Sequence, residues 1–167
     1  MADFRPEKIL AVLAEHGVDY VMIGGLAAAL HGSDMVTTDL DITPGVGEDN
    51  LARLSIALRS LHARIRSDEL AEGLVFSHDA ASLSKADVWN LVTDFGDLDI
   101  SFVPSGTQGF IDLRRSAVVI VVLGTTTQVA SLPDIIRSKA AAGRPKDKIA
   151  VPVLRRLLAE LEHRCTE

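Results

Sequence analysis

Apolar residues follow two different spacings along this chain. Where they recur every three or four positions, the spacing predicts an amphipathic helix with one buried face; short apolar runs and strict alternation predict strands. The first spacing predicts helices at residues 6–17, 25–30, 48–62, 132–142 and 146–163. The second predicts strands at residues 20–23, 38–43, 88–93, 98–103, 117–123 and 125–129, with one short strand at 74–76.

The order of these elements predicts a mixed α/β (α+β) fold, a mixed twisted sheet flanked by helices. The strands cannot all be parallel, because the turn sequence Asp94-Phe95-Gly96-Asp97 lies between two of them and predicts a hairpin. The chain has 167 residues, which fits one compact domain. Within it we expect a core of residues 1–130 and a C-terminal helical segment, residues 131–167, packed on that core.

Two of the predicted strands carry carboxylates on one face and apolar residues on the other. Because side chains alternate along a strand, Thr37, Asp39 and Asp41 share one face, and Asp97 and Asp99 share a face of the second hairpin strand. Carboxylates two positions apart lie about 7 Å from each other, and their repulsion costs about 2 kcal/mol at an effective dielectric of roughly 20. A bound cation would relieve this repulsion, and oxygen ligands without His or Cys suit Mg²⁺ or Mn²⁺. The alternative is a solvated polar face of the sheet.

A glycine pair, Gly24-Gly25, separates the first predicted strand from a short alanine-rich helix. Glycines at such a point let the backbone approach a phosphate closely, with the amides of the helix N-terminus directed at it. A glycine pair alone can equally be a tight turn. The spacing matches neither the G-x-G-x-x-G dinucleotide fingerprint nor a P-loop. Together with the downstream carboxylates, the pair predicts a phosphate site that faces a metal site.

These motifs resemble the DNA polymerase β-like nucleotidyltransferase superfamily, whose pattern is a glycine pair, then Asp-x-Asp, then a third Asp on a neighbouring strand. In this chain the pattern falls on Gly24-Gly25, Asp39-x-Asp41 and Asp99. Within the superfamily, I-G-G-L-A-A-A-L-H-G followed by T-T-D-L-D-I is similar to small bacterial AbiEii-like nucleotidyltransferases, found as toxins of type IV toxin/antitoxin systems. The segment D-I-I-R-S-K-A-A-A-G-R-P-K-D resembles later motifs of that group and places their lysine and aspartate at Lys139 and Asp147.

The resemblance implies a nucleotidyltransferase fold and a metal-dependent reaction, in which a nucleoside monophosphate passes from an NTP to an acceptor and pyrophosphate is released. It implies that Asp39 and Asp41 hold Mg²⁺, or Mn²⁺, against the triphosphate. It also implies that Asp99 helps to bind a second ion and promotes deprotonation of the attacking hydroxyl.

The same resemblance implies the residues that bind the nucleotide. Gly24, Gly25 and Thr37 would contact phosphates, Lys139 would counter charge on the leaving pyrophosphate, and Asp147 would orient that lysine or contact the nucleotide. The family often has an arginine four positions before its first Asp, where this chain has Met35. A phosphate contact from that position is therefore lost, and either another basic residue replaces it or activity is impaired. The basic residues near Asp147 indicate a solvated edge, although an RNA acceptor could use them: Arg144, Lys146 and Lys148.

Charge and composition restrict the function further. The net charge of −6 argues against a protein that coats nucleic acid non-specifically. Residues 1–130 are net acidic and residues 131–167 net basic, so a polyanionic ligand could lie between them; a solvated helical face is the alternative. The single cysteine, Cys165, excludes an internal disulfide and a Cys-based zinc site. No apolar run is long enough for a membrane span and no signal peptide is evident, so we expect a cytoplasmic protein.

Several acceptors are compatible with the sequence. As a toxin, the protein would modify RNA, in particular tRNA, and would have a cognate antitoxin as partner. Alternatives are nucleotidylation of a protein or of a small molecule such as an antibiotic, or a nucleotide-binding module without turnover. The choice of base, the acceptor and the oligomeric state stay open at this point.

Overall fold

A computed structural model describes residues 2–167, and its centre is one seven-stranded sheet. The strands are β1 (Tyr20–Ile23), β2 (Asp39–Pro44), β3 (Arg64–Ile65), β4 (Val88–Thr93), β5 (Gly96–Ser101), β6 (Val118–Val122) and β7 (Thr125–Val129). The helices are α1 (Pro6–Glu15), α2 (Gly24–Leu30), α3 (Glu48–Ser60), α4 (Ala80–Leu83), α5 (Phe110–Ser116), α6 (Leu132–Ala142) and α7 (Pro145–Arg164).

The sheet is mixed, with the strand order β3-β4-β5-β2-β1-β7-β6. β2 lies at its centre, antiparallel to β1 and parallel to β5, and β1 is parallel to β7. β4 with β5 and β6 with β7 form antiparallel hairpins. The predicted fold class, a mixed sheet flanked by helices with helices at the C-terminal end, is confirmed.

The core is aliphatic, and the alternation along β2 and β5 explains which face of the sheet it covers. Leu40 and Ile42 on β2 and Leu98 and Ile100 on β5 are fully buried, whereas the aspartates between them are only partly buried. Fully burying a side chain of this kind contributes about 1.5–3 kcal/mol. The helices add fully buried apolar side chains of their own: Ile9, Leu10, Leu13, Leu54, Leu58 and Leu154. The apolar back of the two strands therefore anchors them and leaves their acidic front in a cleft.

Some local predictions differ from the structure. The predicted strand 74–76 is wrong, because Leu74 forms only an isolated bridge to Ile65. The bridge partner belongs to β3, which has two residues and is too short to show a period. The hairpin turn is also tighter than predicted: Thr93 pairs with Gly96, so β5 begins two residues earlier than the predicted strand. The earlier start lengthens the strand and does not change which face each of its side chains occupies.

Two short helices, α4 and α5, were not predicted from the apolar spacing, since four and seven residues give barely one or two turns of periodicity. α4 instead begins at a capping box, in which the Asp79 carboxylate accepts a hydrogen bond from the Ser82 backbone N–H. Of residues 2–167, no helix is both long enough and apolar enough to cross a membrane.

Candidate active site

Three aspartates converge on the front face of the sheet. β2 and β5 run parallel in register, so that Asp41 lies opposite Asp99 and Asp39 lies opposite Asp97. One carboxylate oxygen from each of Asp39, Asp41 and Asp99 lies within 4.8 Å of the others. Asp97 shares this face but stands outside the group, and its carboxylate pairs with Arg66 instead. The structure therefore brings together the three aspartates that the resemblance implied as metal ligands.

Burial and mutual repulsion make this cluster costly to charge. The pKa of Asp41 is raised to about 7, mainly by burial and also by the charges of Asp39 and Asp99, while Lys139 and Lys146 act in the opposite direction. Burial also raises the pKa of Asp99, mainly opposed by the nearby Arg66. A divalent cation between the carboxylates would favour their ionised forms and offset the repulsion. The donor set consists of carboxylate oxygens alone, which fits Mg²⁺ or Mn²⁺.

The glycine pair lies directly against this cluster at the start of α2. Gly24 has φ +74°, and a Cβ built there would lie 2.1 Å from Asp41 Oδ2. A Cβ on Gly25 would lie 2.9 Å from Thr37 Cβ. Both positions therefore require glycine to let the turn between β1 and α2 pass beside the carboxylates. The structure supplies this second reason for the pair, and the predicted phosphate contact stays a prediction.

Thr37 precedes β2 and orients one of the carboxylates. Its hydroxyl donates a hydrogen bond to Asp39 Oδ1 at 2.9 Å. The side chain also lines the cleft in front of the cluster. A hydroxyl in this position can hold Asp39 in one orientation while it remains close to any ligand in the cleft.

A basic wall formed by the start of α7 and the end of α6 faces the aspartates. Lys139, Arg144 and Lys146 all line the cleft. Asp147 lies behind them, fully buried, with its carboxylate 3.7 Å from Lys139 Nζ and 2.7 Å from Arg144 Nε. These contacts favour the orienting role predicted for Asp147 over a direct contact with nucleotide. The pairing with Asp147 raises the pKa of Arg144.

Arg144 and Lys146, which the sequence indicated as a solvated edge, are exposed, and both also line the cleft. Asp41 and Asp39 contribute to the raised pKa of Arg144 through their charge, after the dominant effect of the hydrogen bond that Arg144 donates to Asp147. Met35 lines the same cleft. Two cations, Arg144 and Lys146, therefore line the cleft that Met35 also lines. The signal that could have found them is Gly143, whose left-handed φ of +61° ends α6 and turns the chain back toward the site.

The cleft enclosed by these walls has a volume of about 570 Å³. Strands β4 and β5 extend its floor past the aspartates with neutral side chains, Asn90 and Ser101. Two ring side chains, His31 and Trp89, make contacts that stabilise the fold. His31 Nε2 donates to the Ala130 carbonyl at 2.8 Å, and the Trp89 ring stacks on Phe76 and donates to the Leu83 carbonyl.

Comparison with known proteins gives a fold-level likeness only. Neither a protein-family model nor a curated protein matches the sequence. Among solved structures, a candidate nucleotidyltransferase from Thermotoga maritima matches with a TM-score of 0.56 at 20% identity, covering 95% of this chain and 97% of that one.

The antibiotic-resistance factor ANT(2'')-Ia matches over a similar extent. Its solution structure matches with a TM-score of 0.52 at 17% identity, covering 96% of this chain and 95% of that one. Its crystal structure with adenylyl-2''-tobramycin matches with a TM-score of 0.54 at 17% identity, covering 95% of both chains. With the three aspartates in place on its central strands, this chain has the fold of the nucleotidyltransferases.

Proposed function

We propose that this protein is a metal-dependent nucleotidyltransferase that moves a nucleoside monophosphate from an NTP to an acceptor. The observation that carries the proposal is the convergence of three carboxylates with a basic wall across one cleft. The three carboxylates favour a bound cation, and the basic wall across the cleft favours a bound anion. Together they are complementary to a complex of a metal ion with a triphosphate. A solvated polar sheet face would have neither the burial of Asp41 nor the facing cations.

The three aspartates would have different roles in the proposed reaction. Asp39 and Asp41 would hold Mg²⁺ or Mn²⁺ with the triphosphate, and Asp99 would complete the binding of a second ion. When bound, the ions would stabilise negative charge on the reacting phosphate. The acceptor oxygen forms a bond to the α-phosphorus, the bond from that phosphorus to the bridging oxygen of the pyrophosphate breaks, and pyrophosphate leaves. Asp99 would promote removal of the acceptor proton.

The basic wall is assigned to the leaving group. Lys139, held by buried Asp147, would neutralise charge that develops on the pyrophosphate, where a fixed cation is most effective. Arg144 and Lys146 would take the place of the missing cation at Met35. Gly24, Gly25 and Thr37 would border the phosphates on the opposite side, next to Asp41 and Asp39.

RNA, in particular tRNA, is the first candidate acceptor, with the protein acting as a toxin and a cognate antitoxin as its partner. The supporting observation is the basic character of α7 beside the cleft. Exposed Lys146, Lys148, Arg155 and Arg156 lie along this helix, where they could contact a phosphate backbone.

A small-molecule acceptor is the second candidate. Its support is the likeness of almost the whole chain to ANT(2'')-Ia, an antibiotic-resistance factor. The cleft volume of about 570 Å³ also lies within the range of small-molecule sites, roughly 300–1,000 Å³.

Label transfer tests the proposal and separates the acceptors. The protein is incubated with each α-labelled NTP and Mg²⁺, together with total tRNA, cell protein or a panel of aminoglycosides. We expect label in one acceptor pool, and no label when EDTA replaces Mg²⁺. Label in tRNA supports the toxin role, and label in an aminoglycoside supports the second candidate. Absence of label from every pool with every NTP would contradict nucleotidyl transfer and favour a binding module.

A further inference from the structure

Arg66 reaches the third aspartate from behind the cleft. It directly follows β3, and its Nη2 donates a hydrogen bond to Asp99 Oδ1 at 2.9 Å. Its Nε lies 3.2 Å from Asp97 Oδ2, an ion pair by distance in which the Nε–H makes no hydrogen bond. One guanidinium therefore bridges the two carboxylates of β5 that share the front face of the sheet.

The arginine is itself held at both ends. Its backbone N–H donates to the Asn90 carbonyl at 2.9 Å, and its Nη2 also donates to the Leu91 carbonyl at 3.1 Å. Both carbonyls belong to β4, the strand beside β5. Ordering an arginine side chain costs conformational entropy, and these contacts order it when the protein folds, before any ligand binds. The guanidinium is thus a rigid part of the sheet edge.

The position of Arg66 relative to the cleft shows how it could act. Asp99 lines the cleft, whereas Arg66 and Asp97 do not. Any influence of Arg66 on a ligand would therefore pass through Asp99. Arg66 engages Oδ1 of that carboxylate, and the same side chain belongs to the group formed with Asp39 and Asp41.

We propose that Arg66 is a positioning residue that fixes the Asp99 carboxylate for the transfer step, and that Asp97 anchors Arg66 in this role. The inference rests on the function proposed above. It gives Asp97, which lies on the same face as Asp99 but outside the group of three, a supporting place beside the arginine. The planar guanidinium can engage two carboxylates at once, which a lysine ammonium cannot do with the same fixed geometry.

The test compares Arg66→Gln and Arg66→Lys with a matched control, Arg64→Gln. Arg64 lies two residues earlier on β3 and pairs with Asp94 at 3.6 Å, away from the cleft. Residues that orient metal ligands typically contribute about 10–100-fold to activity. We expect kcat of Arg66→Gln to fall by about that factor while the KM for NTP changes less than about twofold, because Asp39 and Asp41 still hold the nucleotide.

Arg66→Lys should fall between Arg66→Gln and the wild type, and Arg64→Gln should keep the wild-type kcat. Thermal melting of each variant shows whether a lower kcat results from loss of folding. If Arg66→Gln is unfolded, Arg66→Lys is used in its place to test the positioning role. Asp97→Asn should also lower kcat. Combining it with Arg66→Gln should lower kcat little further, since both changes weaken the same contact between Arg66 and Asp99.

The outcomes are distinct. Equal kcat for Arg66→Gln and Arg64→Gln, whether both are normal or both are lowered, would overturn the positioning role while leaving the proposed function intact. A fall in NTP affinity with unchanged kcat would overturn it as well. A wild-type protein that labels no acceptor would instead remove the proposed function itself.

Discussion

Replacing Asp41 by asparagine is expected to abolish nucleotide transfer while stabilising the metal-free protein at neutral and higher pH. Asp41 lies between the other two carboxylates and the glycine turn, so its loss would remove a central ligand of the proposed metal site. Metal stabilisation of transition-state charge is worth several kcal/mol, and each 1.36 kcal/mol is about tenfold in rate. Transfer should therefore fall by at least about 100-fold in the label assay.

The gain in stability follows from the raised pKa of Asp41, about 7 in the folded protein against an ordinary value of 3.8. Below the ordinary value both folded and unfolded chains carry the proton, and the residue has no effect. As pH rises between the two values, only the unfolded chain releases its proton, so folding stability declines. Above about pH 7 the full cost remains in the wild type. The asparagine variant lacks this cost because its side chain does not ionise.

Thermal melting across this pH range, in buffer with a chelator, checks the effect. Asp68→Asn is the control, since Asp68 is exposed on the surface. The wild type should lose stability relative to Asp41→Asn as pH rises from about 4 to 8, and the control should not reproduce the difference. Destabilisation of the Asp41 variant at the upper pH would mean that the carboxylate is structural. Retention of transfer by that variant would remove Asp41 from the site.

Gly24→Ala is expected to disrupt the site by displacing Asp41. The added Cβ would lie 2.1 Å from Asp41 Oδ2, 2.6 Å from its Cγ and 2.8 Å from its Cβ. The oxygen could rotate away, but the Cβ of Asp41 is fixed to the strand, so the turn or β2 must move. A misplacement of about 1 Å in an active site can cost about 100-fold in rate. We expect a loss of transfer of that order.

Gly17→Ala separates this clash from backbone strain. Gly17 has φ +65°, close to the +74° of Gly24, but a Cβ there would meet only Arg53 Cδ at an ordinary 3.7 Å. An alanine in the left-handed region costs roughly 1–2 kcal/mol at either position, so both variants should melt at lower temperature. Only Gly24→Ala should lose transfer. Similar transfer rates for the two variants would show that crowding against Asp41 is unimportant.

The sequence predicts the acidic part of the site well because strand parity is a local property. The alternation of Asp39 and Asp41 with buried Leu40, and the same pattern around Asp99, follows from the two-residue repeat of a strand. The pairing of β2 with β5 is not local, since two helices and two strands separate them in the chain: α3, β3, α4 and β4. The resemblance, and not the periodicity, related Asp99 to the other two aspartates before the structure placed them together.

The basic part of the site depends on contacts that no local pattern carries. Arg66 follows a two-residue strand, and its partners Asp97 and Asp99 lie more than thirty positions later. Arg144 and Lys146 resemble any solvated basic edge until the reversal at Gly143 turns them toward the cleft. The burial of Asp147 likewise follows from the packing of α6 against α7. Such residues are identified by tertiary packing and not by spacing.

The proposed function depends most on one site that holds metal and triphosphate together, and binding at this site can be measured without knowing the acceptor. Crystals of the wild-type protein are grown with Mn²⁺ and a non-hydrolysable NTP, and the anomalous scattering of manganese locates the ions. We predict manganese bound by carboxylate oxygens of Asp39 and Asp41, with the triphosphate between these residues and Lys139. Nucleotide and manganese bound away from this cluster, or a cluster that takes up no manganese while nucleotide is bound, would contradict the account.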